Sequence, residues 1–580
     1  MHERSRTPLH STLGFSNPSV SPQCTAMCFE QSPEASPGSL LADAVPPLGQ
    51  PSEKEIIRAM IDAELNDTRY SQKTERGLKS RHIQMMAIGG TIGTGLFVGS
   101  GQALATGGPA FLLGSYCFIG FLVFMAVTAV AEIGAYLPVH GGTMSYYGFR
   151  YVSRSLGFAL GYLYWYSLGI LVPNEVTAAA LVINYWPNSV HVGVWITIFL
   201  VVIIILNVMP VKFYGETEFW FAGIKIITLI GLLILSFILF WGGGPDRQRL
   251  GFHYWKTPGA VNTYLVEGRA GRFVALLQTV VLSAFAFLFA PELIVTTAGE
   301  VESPRKNIPR AARRFFYRLI IFYVLGALAI GVICPSDNSA LTSGGYGAGS
   351  SPFVQGIKIA GIEALPSIIN AVILTSAWSS GNSYLYMSSR SLYSLAVAGN
   401  APSIFKRCNR YGLPYMAVLA SSLFSALAYL SVANNSAVVF NWLVSLTNTS
   451  GFISWTCCCI IHFRFRKATE VQGVVRPYES KLQPWGARVA IFGFVFLIFL
   501  NGFSNFVADK WTVAGFFTSY IGIPAFLVLY FGHRIVFKKD PWAWAPENID
   551  LRTGLEETLA AEKPLRKRRG IMKYLCFLWE

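Results

Sequence analysis

Three short groups of residues could do chemistry in this chain: Gly93-Thr94-Gly95, Pro291-Glu292 and Lys225. The first lies midway along the apolar stretch QMMAIGGTIGTGLFVGSGQALATGGPA, and the second interrupts SAFAFLFAPELIVTTAGE. Glycine in a helix interior costs roughly 1 kcal/mol against alanine, and proline removes a helix hydrogen bond and clashes with the preceding turn. A helix opened at such a point exposes N–H groups and a half-helix N-terminus that can hold a carboxylate at the bilayer midplane. Unpaired backbone at that depth is tolerated only where it lines a cavity. Close helix packing through small residues explains the glycines equally well from spacing alone. A nucleotide loop does not, because Gly93-x-Gly95-x-x-x-Gly99 misses the G-x-G-x-x-G spacing and its strand–turn–helix setting. The second interruption favours the opened helix, since paired breaks in corresponding helices of two five-helix halves point to a membrane-embedded binding site. Lys225, in FAGIKIITLIG, sits about two turns inside its span; a lysine there can exchange a proton near neutrality, or it can snorkel to the interface.

These groups need helices to hold them. Of 580 residues 53% are hydrophobic and 13% charged, about half the charge of a soluble chain. Apolar runs long enough to cross a bilayer recur, predicting an all-α polytopic membrane protein. Twelve spans are expected near 83–106, 109–137, 156–185, 191–209, 217–241, 273–298, 314–334, 366–396, 413–433, 438–462, 486–506 and 513–537. The formal charge of +15 does not indicate nucleic acid, because Lys and Arg cluster in short loops. RGLKSRH, ESPRKNIPRAARRFFYR, FKRCNR and HFRFRK fall on one side, while NYWPNSVH and ANNSA carry none, so both termini are expected in the cytoplasm. The long basic loop PDRQRLGFHYWKTPGAVNTYLVEGRAGR falls outside, and long loops translocate despite charge. Residues 1–80, rich in Ser, Pro, Glu and Lys, read as a disordered tail without a signal peptide, in which EKEIIRAMIDAELND could form a short amphipathic helix; 81–540 form the membrane domain and 541–580 a second tail. Nine cysteines follow no metal or disulfide spacing, and Cys457, Cys458 and Cys459 read as core residues.

Several longer motifs carry a family resemblance: LKSRHIQMMAIGGTIGTGLFVGSG, PNEVTAAALVINYW, VKFYGETEFWFAGIKII, ESPRKNIPRAARRFFYR, SPFVQGIKIAGIEALPSIINAVILTSAWSSGNSYLYMSSR and FNWLVSLTNTSGFISW. From about residue 76 to 540 the chain resembles fungal amino acid permeases of the amino acid–polyamine–organocation superfamily, and most the dicarboxylic amino acid permease branch. The resemblance implies two inverted five-helix repeats plus two helices, with helices 1 and 6 discontinuous. It implies an amino acid:proton symporter of the plasma membrane, with the proton gradient in place of a cofactor. Gly93, Thr94 and Gly95 would receive the substrate carboxylate, and backbone carbonyls around Phe287, Phe289 and Ala290 its ammonium. Ala290-Pro291-Glu292 stands where the family has G-x-E, which bears on the pocket's shape, and Glu292 would gate or hold the break. Lys225 would take the place of a coupling cation.

Glu132 and Glu175 are the other ionisable candidates for proton coupling; Glu132 serves equally well as a structural hydrogen-bonding group. Asn382, Ser383, Tyr386 and Trp442 are pathway candidates, although aromatic residues in membrane helices also serve packing. Expected partners are an amino acid, protons and membrane lipids, with trafficking machinery on the cytoplasmic tails; Cys576 is a weak match to lipidated tails. Acidic substrates follow from the dicarboxylic resemblance and a broad range from the lack of a core arginine. A sensor of the same fold is the alternative function, and no nucleophile–base set suggests an enzyme.

Overall fold

The computed structural model describes residues 93–138, 143–187, 189–292, 295, 304–342, 351–409, 412–434, 436–507 and 509–560. Among them are helices and turns and no strand. The first helix, α1 (Gly95–Tyr136), opens as a π turn over Gly95–Gly99 and bends at Gly108, where φ is +80°. A side chain at 108 would also come within 2.8 Å of the Ala260 carbonyl. That close approach lets Ala110 N–H donate to Ala260 O and Asn262 N–H to Gly107 O. The expected spans 83–106 and 109–137 are thus two limbs of one bent helix, and residues 83–92 lie outside the described residues.

A short helix, α2 (Met144–Tyr151), leads into α3 (Arg154–Ile183), α4 (Val192–Val208) and α5 (Val211–Phe240). Next come α6 (Gly268–Glu292) and α7 (Arg305–Ile333), then α8 (Leu365–Val397). The chain continues through α9 (Tyr415–Ala433), α10 (Ser436–Val471) and α11 (Trp485–Leu500). The last, α12, joins Val513–Tyr520 to Gly522–Val536 across a 45° bend. Every expected span from 109 onward falls on one of these helices. Among the described residues, seven helices, or eight with the bent pair, are long and apolar enough to cross a membrane. α8 is not among them, because its middle, TSAWSSGNSYLYMSS, is rich in serine.

α5 shows how such helices are patterned. Phe213, Trp220, Ile227, Ile234 and Trp241, seven residues apart, are exposed apolar groups, two helical turns from one to the next. Tyr214, Glu218, Ala222, Lys225 and Leu229 on the other face are buried. This inverts a water-soluble helix: the apolar stripe faces outward and the charges face protein, as expected for ionisable groups at membrane depth. α3 is buried along most of its length and packs against α8, α10 and α12.

One end of the bundle, here the basic end, carries Arg150, Arg154, Arg464, Arg466 and Arg476, and is crossed by the chain after α12. Trp544 N–H donates to Val152 O, and its indole to Phe149 O. Arg464 donates to Trp544 O, and Gln472 to Pro546 O and Ile549 O at 2.8 and 2.7 Å. Tyr136 donates to Leu551 O at 2.9 Å. Arg150 reaches Asp550 O at 2.6 Å and Thr553 O at 2.8 Å. Within this strap the side chains of Ile549 and Leu551 are buried. Part of the stretch expected as a tail, 541–580, is therefore packed; the helix expected in EKEIIRAMIDAELND and the Cys576 site lie outside the described residues.

Candidate functional site

The site begins where α1 opens. Thr94 is fully buried, and the π turn that follows it puts Gly95 against α6: a Cβ on residue 95 would stand 2.9 Å from Ala286 Cα. One step back, a Cβ on Gly93 would stand 3.0 Å from Glu175 Oε1 and 3.4 Å from Ser380 Oγ. Gly93, Thr94, Gly95, Glu175 and Lys225 are therefore neighbours in space. Lys225 donates to Ser380 Oγ at 3.1 Å and feels the charges of both Glu218 and Glu175.

α6 carries the second break. It is helical to Ala284, tightens to a 3₁₀ turn over Phe285–Phe287, and unwinds at Leu288 (φ −54°, ψ +135°). Phe289 takes the left-handed conformation at φ +57°, which costs an L-residue roughly 1–2 kcal/mol. Pro291 has no N–H to return to the carbonyl four residues earlier, that of Phe287. Ala290, where glycine was the family expectation, is already helical again, so the left-handed position falls one residue before it. Phe287 stacks on Tyr323 at 4.5 Å and tilts against Tyr116 at 5.6 Å, and Phe289 meets Tyr164 edge-on at 6.2 Å. Glu292 is anchored across the break: Ser454 Oγ on α10 lies 2.5 Å from its Oε1 and 2.7 Å from Tyr164 OH. The α6 residues nearest Gly95 are Phe285 and Ala286, slightly upstream of the expected trio.

The remaining candidates separate. Asn382 accepts from Asn207 of α4 at 2.8 Å. Ser383 accepts from Tyr214 at 3.3 Å, and Tyr386 stacks on Tyr214 at 4.3 Å with Arg390 4.8 Å above its ring. Asn382 thus faces α4, while Ser383 and Tyr386 line the α5–α8 seam. Trp442 lies instead in a side cluster of apolar residues with Ile170, Val439 and Leu443, a packing position. Glu132 belongs to the basic end: it pairs with His462 at 2.7 Å, accepts from Ser480 N–H at 2.7 Å, and has Arg466 at 3.5 Å. Cys457, Cys458 and Cys459 are buried thiols, with Cys458 Sγ 3.8 Å from Tyr164 OH.

Sequence reading passed over Glu218, although it is fully buried with both carboxylate oxygens within 3.0 Å of Ser379 Oγ. The signal was present as a spacing. Tyr214, Glu218 and Lys225 share one face of α5, and Ser376, Ser379, Ser380 and Ser383 share one face of α8.

A first helix that begins as a π turn packed on a broken sixth, with charge buried beside them, is the arrangement of a helical secondary transporter. A crystal structure of a mutant Eremococcus coleocola manganese transporter has the same fold, at a TM-score of 0.51 and 12% identity over 79% of this chain and 94% of that one; the likeness is one of fold alone. The amino acid permease family model matches residues 82–544, and the chain belongs to that family. A proline-specific permease of Emericella nidulans is 48% identical over 83% of this chain and 89% of its own length. The dicarboxylic amino acid permease of Saccharomyces cerevisiae is 41% identical over 84% and 81%, so the expected nearness to the dicarboxylic branch is not favoured.

Proposed function

We propose that this protein is a proton-coupled importer of proline at the plasma membrane, with both termini cytoplasmic and residues 81–540 as its transporting domain. One observation carries the substrate class: Lys225, the buried cation of the site, is already faced by two carboxylates, Glu175 and Glu218. An acidic substrate would bring a further carboxylate and, among the described residues, find no spare cation beside Lys225, which at membrane depth is costly. Proline brings only an apolar ring, and Phe285, Phe287 and Phe289 are the side chains at the break. Its carboxylate meets the opened α1 at Thr94 and Gly95, and its secondary ammonium the Phe287 carbonyl that Pro291 leaves unmatched. Glu292 and Ser454 hold the break in shape. Lys225, neighbouring Glu175 and the α1 opening, exchanges the driving proton as the substrate site is filled and emptied. The greater identity to a proline-specific than to a dicarboxylic permease supports the same reading.

The test is uptake of radiolabelled proline by a host lacking its own permeases, with and without a protonophore, and with unlabelled amino acids as competitors. Accumulation that the protonophore abolishes, and that aspartate and glutamate leave untouched, is expected. Displacement of proline by either acid would refute the substrate assignment, and surface-expressed protein without uptake would favour the sensor.

A further inference from the structure

Lys225 and its carboxylates do not balance. Glu175, Glu218 and Lys225 are each at most 1% exposed. Fully ionised, they hold two negative charges against one positive, and an uncompensated charge in such surroundings is expensive. The neighbouring helices offer little relief. Towards these groups α4 presents Asn207, α7 presents no ionisable side chain between Leu325 and Ile333, and α8 presents Tyr384, Tyr386 and Arg390. Arg390 stands beyond the Tyr214–Tyr386 stack, over the Tyr386 ring, and Lys225 is the cation whose charge Glu218 feels. The neutral state of the trio therefore holds one extra proton, and it has two carboxylates on which to keep it.

Those carboxylates are placed differently. Glu175 borders Gly93 at the α1 opening. Glu218 lies seven residues before Lys225 on α5, about 10 Å along the axis, in the direction of the basic end, and its oxygens are held by Ser379, the residue next to the Ser380 that Lys225 contacts. Beyond it, Tyr214, Ser383, Tyr386 and Arg390 continue the polar seam.

We propose that Glu218 is the inner acceptor of the transported proton, taking it from the Lys225–Glu175 pair and releasing it at the basic end of the bundle. The proposal rests on the proton-coupled reading of Lys225. In the first step the Lys225 ammonium gives a proton to the Glu218 carboxylate, so that an ion pair becomes a neutral amine and a neutral acid. In the second, the acid gives that proton to water along the Tyr214–Arg390 seam and Glu218 regains its charge. Lys225 is recharged by the proton held on Glu175, and Glu175 takes up a proton from the outer side through the α1 opening, which restores the neutral trio. Burial of the trio keeps the proton from exchanging elsewhere, and the polar seam of Tyr214, Ser383, Tyr386 and Arg390 beyond Glu218 gives the transfer its direction.

The experiment compares Glu218→Gln, Glu218→Asp, Lys225→Met and the parent in the full chain. It measures protonophore-sensitive accumulation of labelled proline, its external pH profile, and exchange of labelled for unlabelled proline, which needs no net proton movement. Glu218→Gln keeps the shape and a hydrogen-bonding group for Ser379 but cannot titrate. It should lose accumulation and flatten the pH profile while exchange persists, and Glu218→Asp should recover accumulation with a displaced profile. Glu218→Gln with accumulation and pH profile like the parent overturns the relay. So does loss of exchange in parallel with accumulation, or a Glu218→Asp protein no better than Glu218→Gln, since both describe a structural carboxylate. If the parent's accumulation is itself insensitive to protonophore, the coupled reading fails; if Lys225→Met uncouples while Glu218→Gln does not, only the role of Glu218 falls.

Discussion

Gly95→Ala adds a single methyl group where the π turn of α1 meets the break in α6. The new Cβ would stand 2.9 Å from Ala286 Cα and 3.2 Å from Ala286 N, whereas carbon atoms pack best at about 3.5–4.0 Å. One backbone must therefore retreat by roughly 0.6–1.1 Å, and no rotamer change can relieve backbone pressing on Cβ. Overpacking of this kind costs about 1–3 kcal/mol, set against about 1 kcal/mol gained by exchanging glycine for alanine in a helix. Gly99→Ala supplies the control. There the nearest atom is Phe285 Cδ1 at 3.6 Å, an ordinary contact, so the propensity gain remains. Because each 1.4 kcal/mol is a factor of ten, a net cost of up to about 2 kcal/mol means that Gly95→Ala should lower uptake per surface molecule by up to about thirtyfold and reduce the melting temperature of detergent-solubilised protein. Gly99→Ala should match the parent or melt higher. The pair is scored by initial rates of labelled proline uptake and by thermal unfolding of a fluorescent fusion. Equal uptake and equal melting in Gly95→Ala and the parent would refute the close contact between α1 and α6.

Three further outcomes are expected. Glu132→Ala strands His462, Ser480 N–H and Arg466 without their shared acceptor, and removing one partner of a buried pair costs about 3–5 kcal/mol; solubilised protein should melt far lower, and melting like the parent would show that the cluster contributes nothing. Glu292→Ala, which frees Ser454, should lose uptake, whereas Glu292→Gln should retain part of it; parental rates in both would make the residue a bystander. At the strap, burial pushes the Asp550 carboxyl up, but Arg150 and the hydrogen bonds from Thr553 and Arg552 outweigh it and hold the carboxyl below the usual range. A lowered folded value means that its stabilising contribution is complete above the ordinary carboxylate value of about 3.9 and is lost as pH falls through the folded one. Hydrogen-exchange protection across 544–553, taken relative to the intrinsic rate at each pH, should therefore be flat near neutrality and fall only in stronger acid, while Asp550→Asn should lower it near neutrality and converge with the parent in acid; a transition near neutrality would contradict this.

How much of this was legible follows from where the signals lie along the chain. Span lengths and basic loops are local, and the helices from 109 onward fall where apolar runs predict them. The α6 break was legible because Pro291 disrupts its own helix whatever its neighbours do. The left-handed residue was not: the sequence marked Ala290 as the departure from the family's glycine, and nothing in it singled out Phe289, which takes the left-handed conformation. Glu218 was hidden for another reason. A buried glutamate and a lipid-facing one read alike until the exposed stripe of Phe213, Trp220 and Ile227 shows which face of α5 is turned inward. Glu132 as a coupling candidate and Trp442 as a pathway candidate depended on partners far away in sequence, His462 and Ile170, which no local pattern names.

The strap over the basic end has an evolutionary corollary. Tyr136, Arg150, Arg464 and Gln472 grip it by the carbonyls of Leu551, Asp550, Thr553, Trp544, Pro546 and Ile549, and every residue type carries that carbonyl. Selection on this docking therefore bears on the socket more than on the segment seated in it. Substitutions among the strap's outward-facing side chains can accumulate while its course is kept, provided that Trp544, Asp550 and the buried Ile549 and Leu551 remain. Among homologues, an unchanged socket beside a divergent C-terminal segment would mark a retained path that sequence similarity in the segment itself does not reveal.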